Sequence, residues 1–434
     1  MKVAVQSLGC KTNQYEMDAL AESLRQAGFS LVDSEEWAHV YVLNSCTVTA
    51  EAERKARQLL RRYRRLNPQA LLVASGCYSQ RGGLADLADL IIGTGLRDSL
   101  PRLIQERLAQ GQAQTQTLLR PASSWTHYEE LGATAIPGET RAFLKVQDGC
   151  NNRCAYCAIC LARGPSRSRG LEAILAEARQ LADRGFKEIV LTGTNLNHFG
   201  RQAGSQRDLA GLLEALDKIQ GLVRIRLGSL ESGTISPDFL DRIAGLRHLC
   251  PSFHLSLQSG SDRILKAMGR RDSQATYRQA VDGLRSAFPE AGITTDLIVG
   301  FPGETQEDFE ETLSFCDSIA FMGLHVFPFS PRPGTAAAAM PDQVPRSLVI
   351  QRAVILRQKA QDLTSQAIQA RLGQVRELLI EQHDGQGRAE GYTPEYLHVK
   401  ALEPENPKLQ GQRGQIRQVR LLGQEGLSAL GQLL

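Results

Sequence analysis

No apolar run in the chain approaches the ~18 residues that a membrane span needs. Its opening residues, MKVAVQSLGC, alternate like a β-strand and lack a basic segment followed by an apolar one. Neither sign of charge is in excess, with 50 lysines and arginines against 47 aspartates and glutamates, so net charge says little about partners. Cysteine is scarce as well, nine in 434 residues, and the count is odd. A disulfide framework is therefore a poor reading, because a chain of this length buries ample core without staples. The expectation is a cytoplasmic protein without a membrane anchor, in which clustered cysteines hold metal or do redox work.

Against that scarcity, four cysteines crowd into eleven positions of the stretch QDGCNNRCAYCAIC, at Cys150, Cys154, Cys157 and Cys160. Three more close similar segments near the start: VAVQSLGC, VYVLNSC and LLVASGC end in Cys10, Cys46 and Cys77. Residues 1–112 alternate strand and helix patterns, which predicts an N-terminal parallel-sheet α/β domain. At the carboxyl edge of such a sheet three cysteines can converge on one crevice, the alternative being that each is a small buried filler. Residues 113–138 carry Pro, Ser, Thr and Gly without a period and read as a linker.

From residue 139 to 368 the rhythm resumes with six strand candidates: AFLKVQ, EIVLTG, VRIRLG, FHLSLQ, TTDLIVG and LHVFPFS. Six βα units in one run predict a partial (βα)6 barrel, with its site in the loops that follow the strands. Residues 372–434 break into short apolar runs with turn signals such as Asp384-Gly385, the pattern of a small antiparallel β-barrel. Arg376, Arg388, Lys400, Arg413, Arg417 and Arg420 give it a basic cast, and Tyr392 and Tyr396 are candidates for stacking on bases. A second basic feature is the predicted helix ERKARQLLRRYRRLNP, where Arg54, Arg57, Arg61, Arg64 and Arg65 fall at helical spacing. It reads either as a phosphate-tracking stripe or as a solvated surface.

The spacing C-x3-C-x2-C of Cys150, Cys154 and Cys157 aims three thiolates at one centre. Zinc in a structural site asks for four ligands, which Cys160 would complete, and a zinc-holding nucleic-acid-binding protein is the alternative of a different class. An iron-sulfur cluster on three thiolates instead leaves one iron open. The loop resembles that of the radical S-adenosylmethionine (SAM) enzymes, whose motif has an aromatic where Tyr156 stands. That resemblance implies a 4Fe-4S cluster on Cys150, Cys154 and Cys157, with SAM on the open iron as the source of a 5′-deoxyadenosyl radical. It also implies SAM contacts from Thr192, Gly193 and Asn195 in LTGTNLNHFG, Ser229 and Glu231 in SLES, and Gln258 in HLSLQSG. The adenine segment would be Ile298, Gly300 and Glu304 of TDLIVGFPGET, with Val326 and Phe327 nearby.

With the ends included, the chain resembles the radical SAM methylthiotransferases. Their order of parts is an N-terminal domain bearing LGCKTNQYE, LNSCTV and SGCYSQ, the radical SAM domain, and a TRAM-like RNA-binding barrel. The resemblance implies a second 4Fe-4S cluster on Cys10, Cys46 and Cys77, tied to sulfur insertion. LGCKTNQYE and ARGPSRSR are most similar to the group acting on threonylcarbamoyladenosine at position 37 of tRNA. Groups acting on isopentenyladenosine or on a ribosomal protein would read nearer GCQMN or GCPKN. The implied partners are tRNA, an electron donor such as a flavodoxin or ferredoxin, and a sulfur source. Cys160 stands where the family commonly has Pro, and Gly269 in KAMGRR where a polar residue is usual. Arg163, Arg167 and Arg169 are candidates to hold a phosphate or the substrate's carboxylate, or else to bridge acids. Cys250 and Cys316 read as buried thiols, and His198, His254 and His325 as groups near the site that either pack or transfer protons.

Overall fold

The computed structural model describes residues 1–110, 114–132, 139–201, 207–403 and 411–434. Its first sheet contains β1 (Lys2–Ser7), β2 (Ser30–Val32), β3 (Val40–Ser45), β4 (Leu71–Ser75), β5 (Leu90–Ile92) and β6 (Gln116–Leu118), all parallel, in the order β2-β1-β3-β4-β5-β6. The strands β3 and β4 are buried throughout because helices cover both faces. Alternate residues therefore feed two cores: Val40, Val42, Leu71 and Val73 on one side, Tyr41, Leu43, Leu72 and Ala74 on the other. The order reverses between β1 and β3, and at such a switch point the two connections leave in opposite directions and open a crevice.

β6 lies inside the stretch expected to be a linker. It pairs with β5, so the sheet runs past residue 112, and the Tyr128 hydroxyl further on donates to the Lys145 carbonyl at 2.9 Å. Polar composition misled here because an edge strand needs little apolar surface. Residues 113 and 133–138 of that stretch lie outside the described residues.

The second unit has β7 (Arg141–Asp148), β8 (Arg167–Ser168), β9 (Glu188–Gly193) and β10 (Arg224–Leu227) in one sheet, ordered β10-β9-β7-β8. A second sheet, β11 (Ser252–His254), β12 (Gly292–Val299) and β13 (Gly323–Pro328), continues it, through parallel bridges at Ile225–Leu249 and Leu230–Leu255. The six expected strands are present, and the short β8 pairs antiparallel with the end of β7. Ala142, Leu144, Val146, Ile189, Leu191, Ile225 and Leu227 point outward into a core shared with the surrounding helices. The intervening residues Arg141, Lys145, Gln147, Glu188, Thr192, Arg224 and Arg226 consequently face a polar lumen.

β14 (Val375–His383), β15 (Ala389–Tyr392), β16 (His398–Leu402), β17 (Ile416–Glu425) and β18 (Ser428–Leu433) close a five-stranded barrel, as the turn pattern predicted. Its Thr393–Tyr396 turn plugs the base of the larger barrel: Arg226 donates to the carbonyls of Pro394 at 2.8 Å and Thr393 at 3.1 Å. The rings of Tyr392 and Tyr396 stack on each other at 4.5 Å, with Arg141 over both. They are spent in this joint, which corrects the expectation that they stack on bases. Among the described residues, no helix is long and apolar enough to cross a membrane.

Candidate active site

The loop that leaves β7 carries Cys150, Cys154 and Cys157. It is pinned from two sides, by the Ala155 amide donating to the Met268 carbonyl at 2.8 Å and the Ala337 amide donating to the Ala155 carbonyl at 2.8 Å. Met268 ends a helix that Gly269 caps at φ +72°, with Gly269 and Arg270 amides returning to Lys266 and Leu265. The left-handed backbone explains why glycine replaces the polar residue expected there. Asn195 Nδ2 and the Asn152 amide approach Cys150 Sγ at 3.5 and 3.4 Å. Glu231 accepts from both asparagine side chains, at 3.2 Å from Asn195 and 2.5 Å from Asn152.

Burial pushes the Cys157 thiol up to about 12 and raises Cys150 and Cys154. The Arg270 guanidinium, with Tyr156 beside it, partly offsets the effect at Cys154. Free thiolates are thus disfavoured in this pocket, and a donor set of three clustered cysteines fits a cationic iron cluster, which deprotonates thiols outright. Cys160 lies on the following turn, its thiol 3.8 Å from the Cys157 carbonyl.

The strand ends around this loop hold the remaining expected residues. Thr192 and Gly193 end β9, but the Thr192 hydroxyl is buried against that of Thr12, 3.3 Å away. Ser229 is exposed beyond β10. Gln258 has φ +80°, rare for a side chain other than Gly or Asn, and is fixed there by its amide on the Asp296 carbonyl and its carbonyl on the Ile298 amide. Ile298 and Tyr156 pack on one apolar cluster with Phe301 and Met268, and Ile298 pairs in register with Phe327, which is exposed, while Val326 packs on the main core. Gly300 has φ +77°, and its amide donates to Glu304, whose carboxylate Arg352 holds at 2.6 Å.

The N-terminal domain lies over this mouth. Arg163, just beyond the loop, donates from Nε to Cys77 Sγ at 3.2 Å. On the far side, the Ala50 amide meets Ser330 Oγ at 3.1 Å and Glu53 pairs with Arg332 at 2.8 Å. Cys10 follows β1, Cys46 follows β3 and Cys77 follows β4, so the three thiols gather at the switch-point crevice. Burial, with Cys77 and Cys10 as neighbours, pushes Cys46 up to about 12. A second three-cysteine donor set is therefore tied through Arg163 to the segment after the first, and it too fits a metal cluster.

Arg163, Arg167 and Arg169 are buried, which corrects their candidacy as donors to an incoming anion. Arg163 pairs with Glu16 at 2.7 Å and Asp148 at 2.9 Å, Arg167 with Asp148 at 3.5 Å, and Arg169 with Glu130 at 2.7 Å and with Glu177. Arg97 and Lys145 join the same network, at 2.5 and 2.6 Å from Glu16, and Arg97 meets Glu129 at 2.7 Å. Burial opposes ionisation of Glu16 and Asp148, but the surrounding cations, Arg163 foremost, hold both well below the usual carboxylate range. Sequence inspection missed this joint, because Glu16, Arg97, Lys145 and Asp148 meet through tertiary packing alone.

The expected RNA-facing charges are largely engaged as well. Arg54 pairs with Glu51, Arg57 with Asp86 and Arg64 with Asp89, leaving Arg61 and Arg65 beside a cavity of about 500 Å³. Arg376 pairs with Glu290, and Arg388 and Lys400 share Glu425. Cys250 and Cys316 are buried, as expected.

In the lumen below the mouth, His254, Asp296 and His325 each bring a ligand-capable atom within 4.8 Å of the others. His254 Nε2 is 3.3 Å from Asp296, and its Nδ1 is 3.0 Å from Thr294 Oγ1. Lys11, the residue after Cys10, also reaches this space. It is open to solvent yet walled by protein, and that enclosure lowers its pKa.

A partial barrel with a three-cysteine loop after its first strand defines a class, and comparison with known proteins agrees with it. Residues 144–316 match the radical SAM superfamily, and residues 2–92 match an uncharacterized protein family, UPF0004. A radical S-adenosylmethionine methyltransferase, TsrM from Kitasatospora setae, shares the fold with a TM-score of 0.58 at 16% identity, over 77% of this chain and 74% of that one. The threonylcarbamoyladenosine tRNA methylthiotransferase MtaB of Thermotoga maritima is 37% identical over 401 residues, 91% of this chain and 90% of that protein. Its counterpart in Bacillus subtilis is 36% identical over 412 residues, 92% and 89% of the two chains. A tRNA-2-methylthio-N(6)-dimethylallyladenosine synthase of Pelotomaculum thermopropionicum is 36% identical over 389 residues, 87% and 86%. The chain belongs to the radical SAM methylthiotransferase family.

Proposed function

We propose that this enzyme inserts a methylthio group at C2 of N6-threonylcarbamoyladenosine at position 37 of tRNA. The observation that carries the reading is the pair of three-cysteine sites, one after the first barrel strand and one in the domain that docks on the barrel through Arg163 and Ser330, in a chain whose relatives over nine-tenths of its length include the MtaB enzymes. On this reading, Cys150, Cys154 and Cys157 hold one 4Fe-4S cluster and Cys10, Cys46 and Cys77 a second. Such clusters, with SAM, would supply one-electron chemistry at the Cys150 site and a route for sulfur at the Cys10 site.

The chain's own residues bind and orient. Asn195, Asn152 and Glu231 form a polar rim beside Cys150, suited to the charged methionyl end of SAM, with Thr192, Gly193, Ser229 and Gln258 on neighbouring strand ends. Ile298, Gly300 and Phe327 form the side for its adenine, next to Tyr156, with Val326 packed on the core behind them. The N-terminal domain packs on the mouth through Thr12, Arg163 and Glu53. The domain division that goes with this reading is 1–112, 139–368 and 372–434, with β6 added to the first sheet and the last unit acting as a TRAM-like RNA-binding module. The partners that go with this reading are an electron donor such as a flavodoxin or ferredoxin and a sulfur source, and the compartment is the cytoplasm.

Mass spectrometry of tRNA nucleosides from cells lacking this protein tests the reading. The 2-methylthio form should vanish while unmodified threonylcarbamoyladenosine accumulates. Loss of a methylthio isopentenyl nucleoside instead would assign the enzyme to that substrate.

A further inference from the structure

We infer that Lys11, assisted by His325, holds the carboxylate of the substrate's threonylcarbamoyl side chain and thereby selects that side chain. The inference rests on the substrate reading above and adds the residue that carries its specificity.

Lys11 opens the helix Lys11–Gln26, and its neighbour Thr12 touches Thr192 at the end of β9. Its ammonium lies in electrostatic range of Arg141 on β7, Glu188 on β9, Arg226 on β10, Tyr396 of the plug and His325 on β13. A side chain of about 6 Å reach senses strands on opposite sides of a barrel at once only from within the lumen. Lys11 thus descends from the covering domain into the space where a base would enter.

The charges around it are already matched. Glu188 binds Arg226 at 2.7 Å, with Arg224 at 3.7 Å, and Arg141 binds Glu381 at 2.5 Å. Lys145, the other lysine near this helix, is buried against Glu16 and Asp148. Among the described residues, Lys11 has no ion pair within 4.0 Å and no side-chain hydrogen bond, and it remains open to solvent. His325 is exposed likewise. It stands opposite Asp296 in register, and Asp296 is engaged by His254 at 3.3 Å.

An unpaired ammonium among side chains that are already matched prefers an anion, and its three donors rotate to suit a carboxylate. Threonylcarbamoyladenosine carries a carboxylate on its N6 substituent, whereas an isopentenyl group is wholly apolar. The apolar group would desolvate Lys11 without compensation, so one residue both attracts the right side chain and rejects the wrong one. The three arginines after the cluster loop, which the sequence offered for this role, are consumed by Glu16, Asp148, Glu130 and Glu177.

The test uses the full chain with its clusters reconstituted and anticodon stem-loops bearing threonylcarbamoyladenosine, isopentenyladenosine or unmodified adenosine at position 37. Dissociation constants are measured for the unsubstituted protein, Lys11→Gln and Lys11→Arg. Lys11→Gln should weaken the threonylcarbamoyl stem-loop about tenfold or more while leaving the unmodified one within about twofold, and Lys11→Arg should recover much of the loss. Iron content and the unfolding midpoint should not move, since the side chain has no folded-state partner to lose. Equal weakening of all three stem-loops would show that Lys11 meets a phosphate and would overturn the inference, as would no weakening at all. An unsubstituted protein that fails to prefer the threonylcarbamoyl stem-loop would overturn the substrate reading itself, a result visible before any substitution is made.

Discussion

Arg163 joins Cys77 to the end of β7 through one guanidinium. Its Nε meets Cys77 Sγ at 3.2 Å while Nη1 and Nη2 bind Glu16, Asp148 and Asn13. Replacing it with Met leaves two buried carboxylates short of their largest counter-charge, and the expected loss is about 3–5 kcal/mol. The pH dependence follows from Glu16, whose carboxyl has an ordinary value of 4.5 and is held far lower in the fold. A depressed carboxyl contributes stability that is present above about pH 4.5 and is lost as pH falls through the folded value. Urea midpoints of the native protein should therefore drop as pH is lowered from about 5 to 3, and those of Arg163→Met should start lower and fall less. A variant as stable as the parent, or with the same pH slope, would show that the network carries no folding energy.

Elements were legible in the sequence to the extent that their periodicity was set by two faces. Tyr41 and Val42 point to different cores, and Leu144 and Lys145 to core and lumen, so strand patterns stood out in both units. The cysteines were legible because they end those strands. β6 and β8 were not, since edge strands of two or three residues have no core to declare them. Nor was the fate of the arginines, because the sequence shows a charge but not the acid that packs against it. Two glycines test how the elements are held. Gly269 and Gly300 both have positive φ, but a Cβ at Gly269 would find nothing nearer than 3.6 Å, whereas one at Gly300 would lie 2.4 Å from Val349 Cγ2. Gly269→Ala should cost about 1 kcal/mol of backbone strain, and Gly300→Ala more than about 2, because strain and overpacking add. Thermal unfolding of both variants measures the difference, and equal costs would mean that Val349 yields.

At the scale of the whole molecule, the N-terminal domain with its three cysteines docks on the mouth of the barrel that carries the other three, and the Thr393–Tyr396 turn plugs the barrel from below. If the cysteines at the switch point merely held their domain together, removing them would weaken that domain without altering chemistry in the molecules that remain folded. If they deliver sulfur, a Cys10→Ala, Cys46→Ala, Cys77→Ala protein should lose about half its iron, still cleave SAM at the Cys150 site and still bind tRNA. It should release 5′-deoxyadenosine without forming a methylthio product. The domain has reasons to survive the change, because its two apolar cores lie on the faces of the sheet, away from the carboxyl edge, and Arg163 keeps Glu16 and Asp148 when Cys77 is gone. The converse protein, with Cys150, Cys154 and Cys157 replaced by Ala, should keep the other half of the iron and produce no 5′-deoxyadenosine. Methylthiolated tRNA from the first variant would return the N-terminal cysteines to a structural role, and loss of all iron from either variant would mean that the two sites are not filled independently.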